Sequence, residues 1–198
     1  MGERVRECMH ASKGRQMGSE ATIRLLGDFA LTQHGRPVLG LDSARLQALV
    51  AYLVLHRGAP QLRYHLAFLF WPDSDEGQAR TNLRNLLHRL RRAWPEADRH
   101  LAIGTKSIAW RPDAELSVDV ADFEQHLAAA TASADPVDKV SSLQQAIGVY
   151  RGDLLPSCYD EWIEPLRTRL RQGYVHALEQ HAQLLQAAGD VRGAIGVQ

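Results

Sequence analysis

Residues 66–94 read LAFLFWPDSDEGQARTNLRNLLHRLRRAW. Trp71-Pro72 interrupts a short apolar run, and a long helical period begins just after it. Asp73, with Glu76 three residues on, resembles a capping box, so the spacing predicts a helix from Asp73-Ser74 to Trp94 that Pro95 ends. Leu83, Leu86, Leu87, Leu90 and Trp94 follow the i, i+3, i+4, i+7 rule and fall within roughly 100° of one another around the helix axis. The opposite face carries Thr81, Arg84, Asn85, His88, Arg89 and Arg92, with Gln78 on the same side one turn earlier and no carboxylate among them. A solvated helix normally mixes signs to gain i,i+4 pairs. A one-signed face of Arg, Asn, Gln, Thr and His is instead the set of side chains that meets phosphates and base edges of DNA. An idle basic surface is the plainer alternative.

The flanking segments supply a context for that helix. Residues 62–70 predict a shorter helix with Leu66, Leu69 and Phe70 buried. Residues 43–56 predict another, with Leu46, Leu49, Val50 and Leu53 on one face, Ser43 as N-cap, and Gly58 and Pro60 closing it. Downstream, Leu101 and Ile103, then Gly104-Thr105-Lys106, then Ile108 and Trp110 form a β-hairpin pattern. A helix, a turn, a basic amphipathic helix and a hairpin with Lys106 at its tip make a helix-turn-helix with a wing. Ahead of them, Ile23, Leu25, Phe29, Leu31 and Val38 alternate with turn formers at Gly27-Asp28 and His34-Gly35, which predicts two or three short antiparallel strands.

Beyond residue 115 the chain becomes helical and acidic. Helices are expected over about 120–131, over the run Val137 to Tyr150, and over about 160–188, with Pro165 implying a kink or a late start. In the last of these, Trp162, Leu166, Leu170, Tyr174, Leu178 and Leu185 share one side, and Gly189-Asp190 is expected to end it. These segments read as stacked helical hairpins in an array cut short. The expected fold class is mainly α with small β-sheets.

The net charge is zero over 198 residues, with 23 basic and 23 acidic side chains. Residues 1–111 nevertheless hold 17 Lys plus Arg against 10 Asp plus Glu, a balance of +7, and residues 112–198 hold 6 against 13, a balance of −7. A basic half suits a polyanion partner. Two cysteines, Cys8 and Cys158, sit far apart without metal-ligand spacing, and no apolar run reaches membrane-spanning length, so a reducing cytoplasmic setting and no membrane partner are expected. Residues 1–20 are polar throughout and read as a disordered leader or tag, with Met17 as an alternative start.

Three stretches carry a resemblance. IRLLGDFALTQHGRPV, ARLQALVAYLVLHRG and LAFLFWPDSDEGQARTNLRNLLHRLRRAW resemble the winged-helix domain of SARP-type regulators, the antibiotic regulatory proteins of actinobacteria, which is of the OmpR-like response-regulator effector kind. VDVADFEQHLAAA and VYRGDLLPSCYDEWIEPLRTRLRQGYVHALEQHAQLLQAAGD resemble the bacterial transcriptional activator domain, a bundle of tetratricopeptide-like helices that follows it in that family. The resemblance implies a winged-helix domain over 21–113 and an activator domain over 117–198. It also implies a sequence-specific DNA-binding activator that occupies promoter direct repeats and contacts RNA polymerase. A single domain has a small footprint, so a homodimer on DNA is expected as well. By likeness Arg84, Asn85, His88, Arg89 and Arg92 are the recognition residues and Gly104 to Ser107 the wing. The wing's lone base is Lys106.

Other residues invite blander readings. Trp71, Trp94, Trp110 and Trp162 sit at core positions, His176 and His181 are wrongly spaced for zinc, and Cys158 has no partnering histidine. Asp160, Glu161 and Glu164 charge the start of the last helix. With no Gly-rich phosphate loop or catalytic constellation, neither an enzyme nor a cofactor is expected. The competing reading is an interaction scaffold in which the helical hairpins hold a partner protein. It gains if the basic face of the third helix packs against the acidic half.

Overall fold

The computed structural model describes residues 21–195. The expected leader lies outside the described residues. The chain opens with β1 (Ala21–Arg24), β2 (Ala30–Gln33), β3 (Arg36–Pro37) and α1 (Ala44–Leu55). There follow β4 (Gln61–Leu62), α2 (Arg63–Phe70), α3 (Glu76–Ala93), α4 (Ala97–His100), β5 (Leu101–Ile103) and β6 (Ser107–Trp110). It continues with β7 (Leu116–Val118), α5 (Asp119–Ala132), α6 (Pro136–Val149), a 3-10 turn at Glu161–Ile163 and α7 (Glu164–Ile195). The fold is mainly helical with two small sheets, as the sequence predicts.

The first sheet has the order β3-β2-β1-β7. His34 and Gly35 both have positive φ, 48° and 75°, which gives β2 and β3 the two-residue turn whose twist matches an antiparallel pair. β7 lies parallel to β1, pairing Ala21 with Leu116 and Ile23 with Val118, so everything from β2 to β6 forms the crossover. The second sheet, β4-β6-β5, is the expected hairpin plus a two-residue strand leading into α2.

α3 packs through Ala79, Leu83, Leu86, Leu87 and Leu90 onto the core that α1 and α2 complete. Its N-cap is Asp75, whose Oδ1 accepts from Gln78 N at 2.9 Å, and not Asp73. The capping box therefore fails: Trp71-Pro72-Asp73-Ser74 is turn, and Glu76 is the first helical residue, where it pairs with Arg80.

In the second half α5, α6 and α7 pack in sequence around Phe123, Ala130, Leu143, Ala146, Leu170 and Ala177. Tyr150 stacks on Tyr174 with centroids 4.2 Å apart. Pro165 is the second residue of α7, where its missing N–H costs nothing. α7 runs through Gly189 to Ile195 without the expected break. A single glycine costs a helix only about 1 kcal/mol relative to Ala, and no proline follows it. Leu178 and Leu185, expected on the buried side, are exposed, since no further helix covers them among the described residues.

The two halves share one core, which runs from Ala21 through Trp94 and Phe123 to Leu170. Leu26 bridges Leu154, Gly27 N donates to Asp153 O at 3.0 Å, and Leu155 N donates to Leu25 O at 2.9 Å. The Asp119 carboxylate accepts from the backbone of Leu25, Leu26 and Val120 at 2.8–2.9 Å. Burial pushes its pKa up against the pull of those three donors. Asp160, read from sequence as a helix-end charge, instead accepts both of its short bonds, each 2.9 Å, from Arg45 of α1.

Candidate nucleic-acid interface

The polar face of α3 follows from its period. Leucines at 83, 86, 87 and 90 fill the core, so the residues between them turn outward. Gln78, Thr81, Arg84, Asn85, His88, Arg89 and Arg92 are all exposed, as is Lys106 at the wing tip. None of the eight is covered by the acidic helices. Arg84, Arg89, Arg92 and Lys106 make no ion pair among the described residues. The basic residues flanking them do: Arg80 pairs with Glu76 at 2.5 Å, and Arg91 holds Asp98 with both of its arms at 3.0–3.1 Å. Three arginines without an ion pair among the described residues, Arg84, Arg89 and Arg92, thus share the ridge that points to solvent.

Two of the eight are tied up locally. Gln78 Nε2 donates to Asn82 Oδ1 at 2.8 Å, and Thr81 Oγ1 donates back to Gly77 O at 2.9 Å. For Asn85, Arg84, His88, Arg89 and Arg92 no such bond competes among the described residues.

Both ends of α3 are held. At its C-terminal end Trp94 is buried, stacks on His100 with centroids 4.9 Å apart, and donates Nε1–H to Gln33 Oε1 at 3.0 Å. At its N-terminal end the turn residue Trp71 lies under Arg45, 5.8 Å from the guanidinium carbon. Trp94 and Trp110 are core residues as expected, whereas Trp71 and Trp162 are half-buried.

The wing folds back onto the start of α2. Arg63 N donates to Lys106 O at 2.9 Å and Arg63 Nη1 to Gly104 O at 3.1 Å. A cleft of about 590 Å³ opens between α2, α3 and the wing, lined by Leu62, Arg63, Tyr64, Arg80, Leu83, Arg84, Thr105 and Lys106. It brings Arg84 and Lys106 together; the other six candidates lie along the ridge of α3 outside it. Arg63 was not a sequence candidate, and neither were Tyr64 and Arg80. Partial burial, then Arg84, then Arg91, holds the Arg63 guanidinium below its ordinary pKa. Like charges therefore crowd this corner. Four bases spaced along two helices and a turn show no local run, and only the wing pairing reveals them as neighbours.

Among the described residues no group of three or more His, Cys, Asp or Glu is placed to hold a metal, and no helix is long and apolar enough to cross a membrane.

Comparison with known proteins agrees with this organisation. Residues 118–197 match the family described as bacterial transcriptional activator domain. No curated protein matches by sequence. In fold the chain is similar to EmbR of Mycobacterium tuberculosis, solved in complex with a low affinity phosphopeptide, with a TM-score of 0.72 and 24% identity. That match covers 90% of this chain and 48% of the EmbR chain, so the chain spans about half the length of that relative. Residues 118–197 thus carry the match to the bacterial transcriptional activator domain, and the chain as a whole shares the fold of the corresponding part of EmbR.

Proposed function

We propose that this chain is a SARP-type transcriptional regulator that binds duplex DNA sequence-specifically through α3 and the wing, and that it activates transcription from that position. The observation that carries the reading is the exposed, carboxylate-free ridge of Arg84, Asn85, His88, Arg89 and Arg92, held rigid by a leucine spine. α3 enters the major groove, where Arg and Asn reach base edges, while Lys106 meets a flanking phosphate. Asn85 and Arg89 read sequence; the remaining bases set affinity by displacing counterions. One winged helix has a small footprint, so tight binding takes two copies on directly repeated half-sites. The helical domain over 117–198 then faces RNA polymerase beside the promoter.

A ridge packed on the acidic helices would have favoured the scaffold reading; its exposure supports the DNA-binding one. Selection of bound sites from random DNA tests the proposal and gives the operator at once. A recurring half-site of a few base pairs, duplicated at about one helical turn, is expected. Recovery of unenriched sequence would refute it.

A further inference from the structure

We infer that the cleft between α2, α3 and the wing is a subsite for one phosphodiester of the DNA backbone, gripped by Arg63 and Lys106 with Arg84 behind them. The inference rests on the DNA-binding reading and assigns to it a residue, Arg63, that lies on neither the recognition ridge nor the wing. Four cations line the cleft, and only Arg80 is neutralised, by Glu76. Arg63, Arg84 and Lys106 have no carboxylate partner among the described residues, so their charges await an anion from outside. The Arg63 guanidinium is already held by the carbonyl of Gly104, and the Arg63 backbone N–H by that of Lys106. A cation held in place before binding loses little freedom when a phosphate arrives. The apolar wall fits the rest of a nucleotide backbone: Leu62 is 57% and Tyr64 58% exposed, an unusual display for large side chains beside three free bases. Lys106 O takes the first N–H of α2, that of Arg63, and for the N–H groups that follow in the turn the cap residue, Leu62, has no polar side chain.

A phosphate clamp positions without reading sequence. Its removal should weaken every duplex alike, in contrast to loss of a base-reading residue. The test measures binding of the intact chain to its selected duplex and to a scrambled one by fluorescence anisotropy across a salt series. Arg63→Ala is expected to lower the slope of log affinity against log salt by about one on both duplexes, leaving the ratio between them unchanged. Arg63→Gln, which keeps a donor for Gly104 O without the charge, should behave the same way and guards against a folding defect in the alanine variant. A duplex with a single neutral methylphosphonate at the clamped position should cost the parent protein the same loss, and Arg63→Gln should add nothing to it. If the Arg63 variants keep the parental slope while Arg89→Ala still weakens the selected duplex, the subsite is refuted and DNA binding stands. If the parent binds neither duplex, the underlying reading fails with it.

Discussion

Trp94 Nε1 donates to Gln33 Oε1 at 3.0 Å, which ties the last turn of the candidate recognition helix to the second strand of the N-terminal sheet. Both residues are buried, and the same oxygen lies 3.2 Å from His100 Nε2. The sheet thereby acts as a mount for α3. The strands that precede a winged helix are easily dismissed as an appendage; here they fix the angle at which the arginine ridge leaves the core.

Gln33→Leu keeps the volume and removes the acceptor shared by two buried rings. It should destabilise the fold by about 1–3 kcal/mol, because a buried donor left without its partner costs its full desolvation. Chemical denaturation with tryptophan fluorescence reads this directly, and an unchanged midpoint would show the pair to be idle.

Leu86 is 3% exposed at the centre of the α3 spine. Leu86→Ala should cost about 2–5 kcal/mol. Circular dichroism melts would reveal it as a large fall in Tm. A loss comparable to that of a surface substitution would mean that the spine does not hold the helix.

Since the two halves share a core and the strand β7, the chain should unfold in one cooperative transition. Asp160→Asn loosens the seam at Arg45; both side chains are partly exposed, so about 1 kcal/mol or less is expected, without splitting the transition. Calorimetry showing two separate transitions in the parent protein would contradict the shared core.

Tyr150 donates its hydroxyl to Asp153 Oδ1 at 3.0 Å, and burial together with that carboxylate pushes its pKa up to about 12. The folded chain therefore keeps a proton that the unfolded chain releases near pH 10. This contribution to stability is full below pH 10 and is lost as pH rises through about 12. Tyr150→Phe should flatten the fall in stability between those values, and its ultraviolet titration should lack the last-ionising phenol. A variant with the parental alkaline profile would place the effect elsewhere.

Much of this was legible in the sequence because the elements are amphipathic and punctuated. Leu83 to Leu90 repeats at helical spacing, Gly58 with Pro60 and Pro95 mark boundaries, and the apolar pairs around Gly104 announce a hairpin. What escaped depends on distant partners. Asp75, not Asp73, caps α3 because the Trp71-Pro72 turn extends two residues further than the capping-box spacing implies. β7 is three residues long and gains meaning only from its place beside β1. Asp119 looks like an ordinary helix-start carboxylate until Leu25 and Leu26 are brought to it across more than ninety residues. Arg63 and Lys106 become neighbours only when β4 pairs with β6. Leu178 and Leu185 have the right period for burial, but periodicity cannot say whether a covering helix is there.

The most direct test is the salt dependence of binding to a selected duplex by the parent protein and by Arg89→Ala. A steep decline of affinity with salt is predicted for the parent, and a loss of about 1–3 kcal/mol for Arg89→Ala on the selected duplex alone. Affinity indifferent to salt, with Arg89→Ala binding as well as the parent, would contradict the assignment of the α3 ridge to DNA.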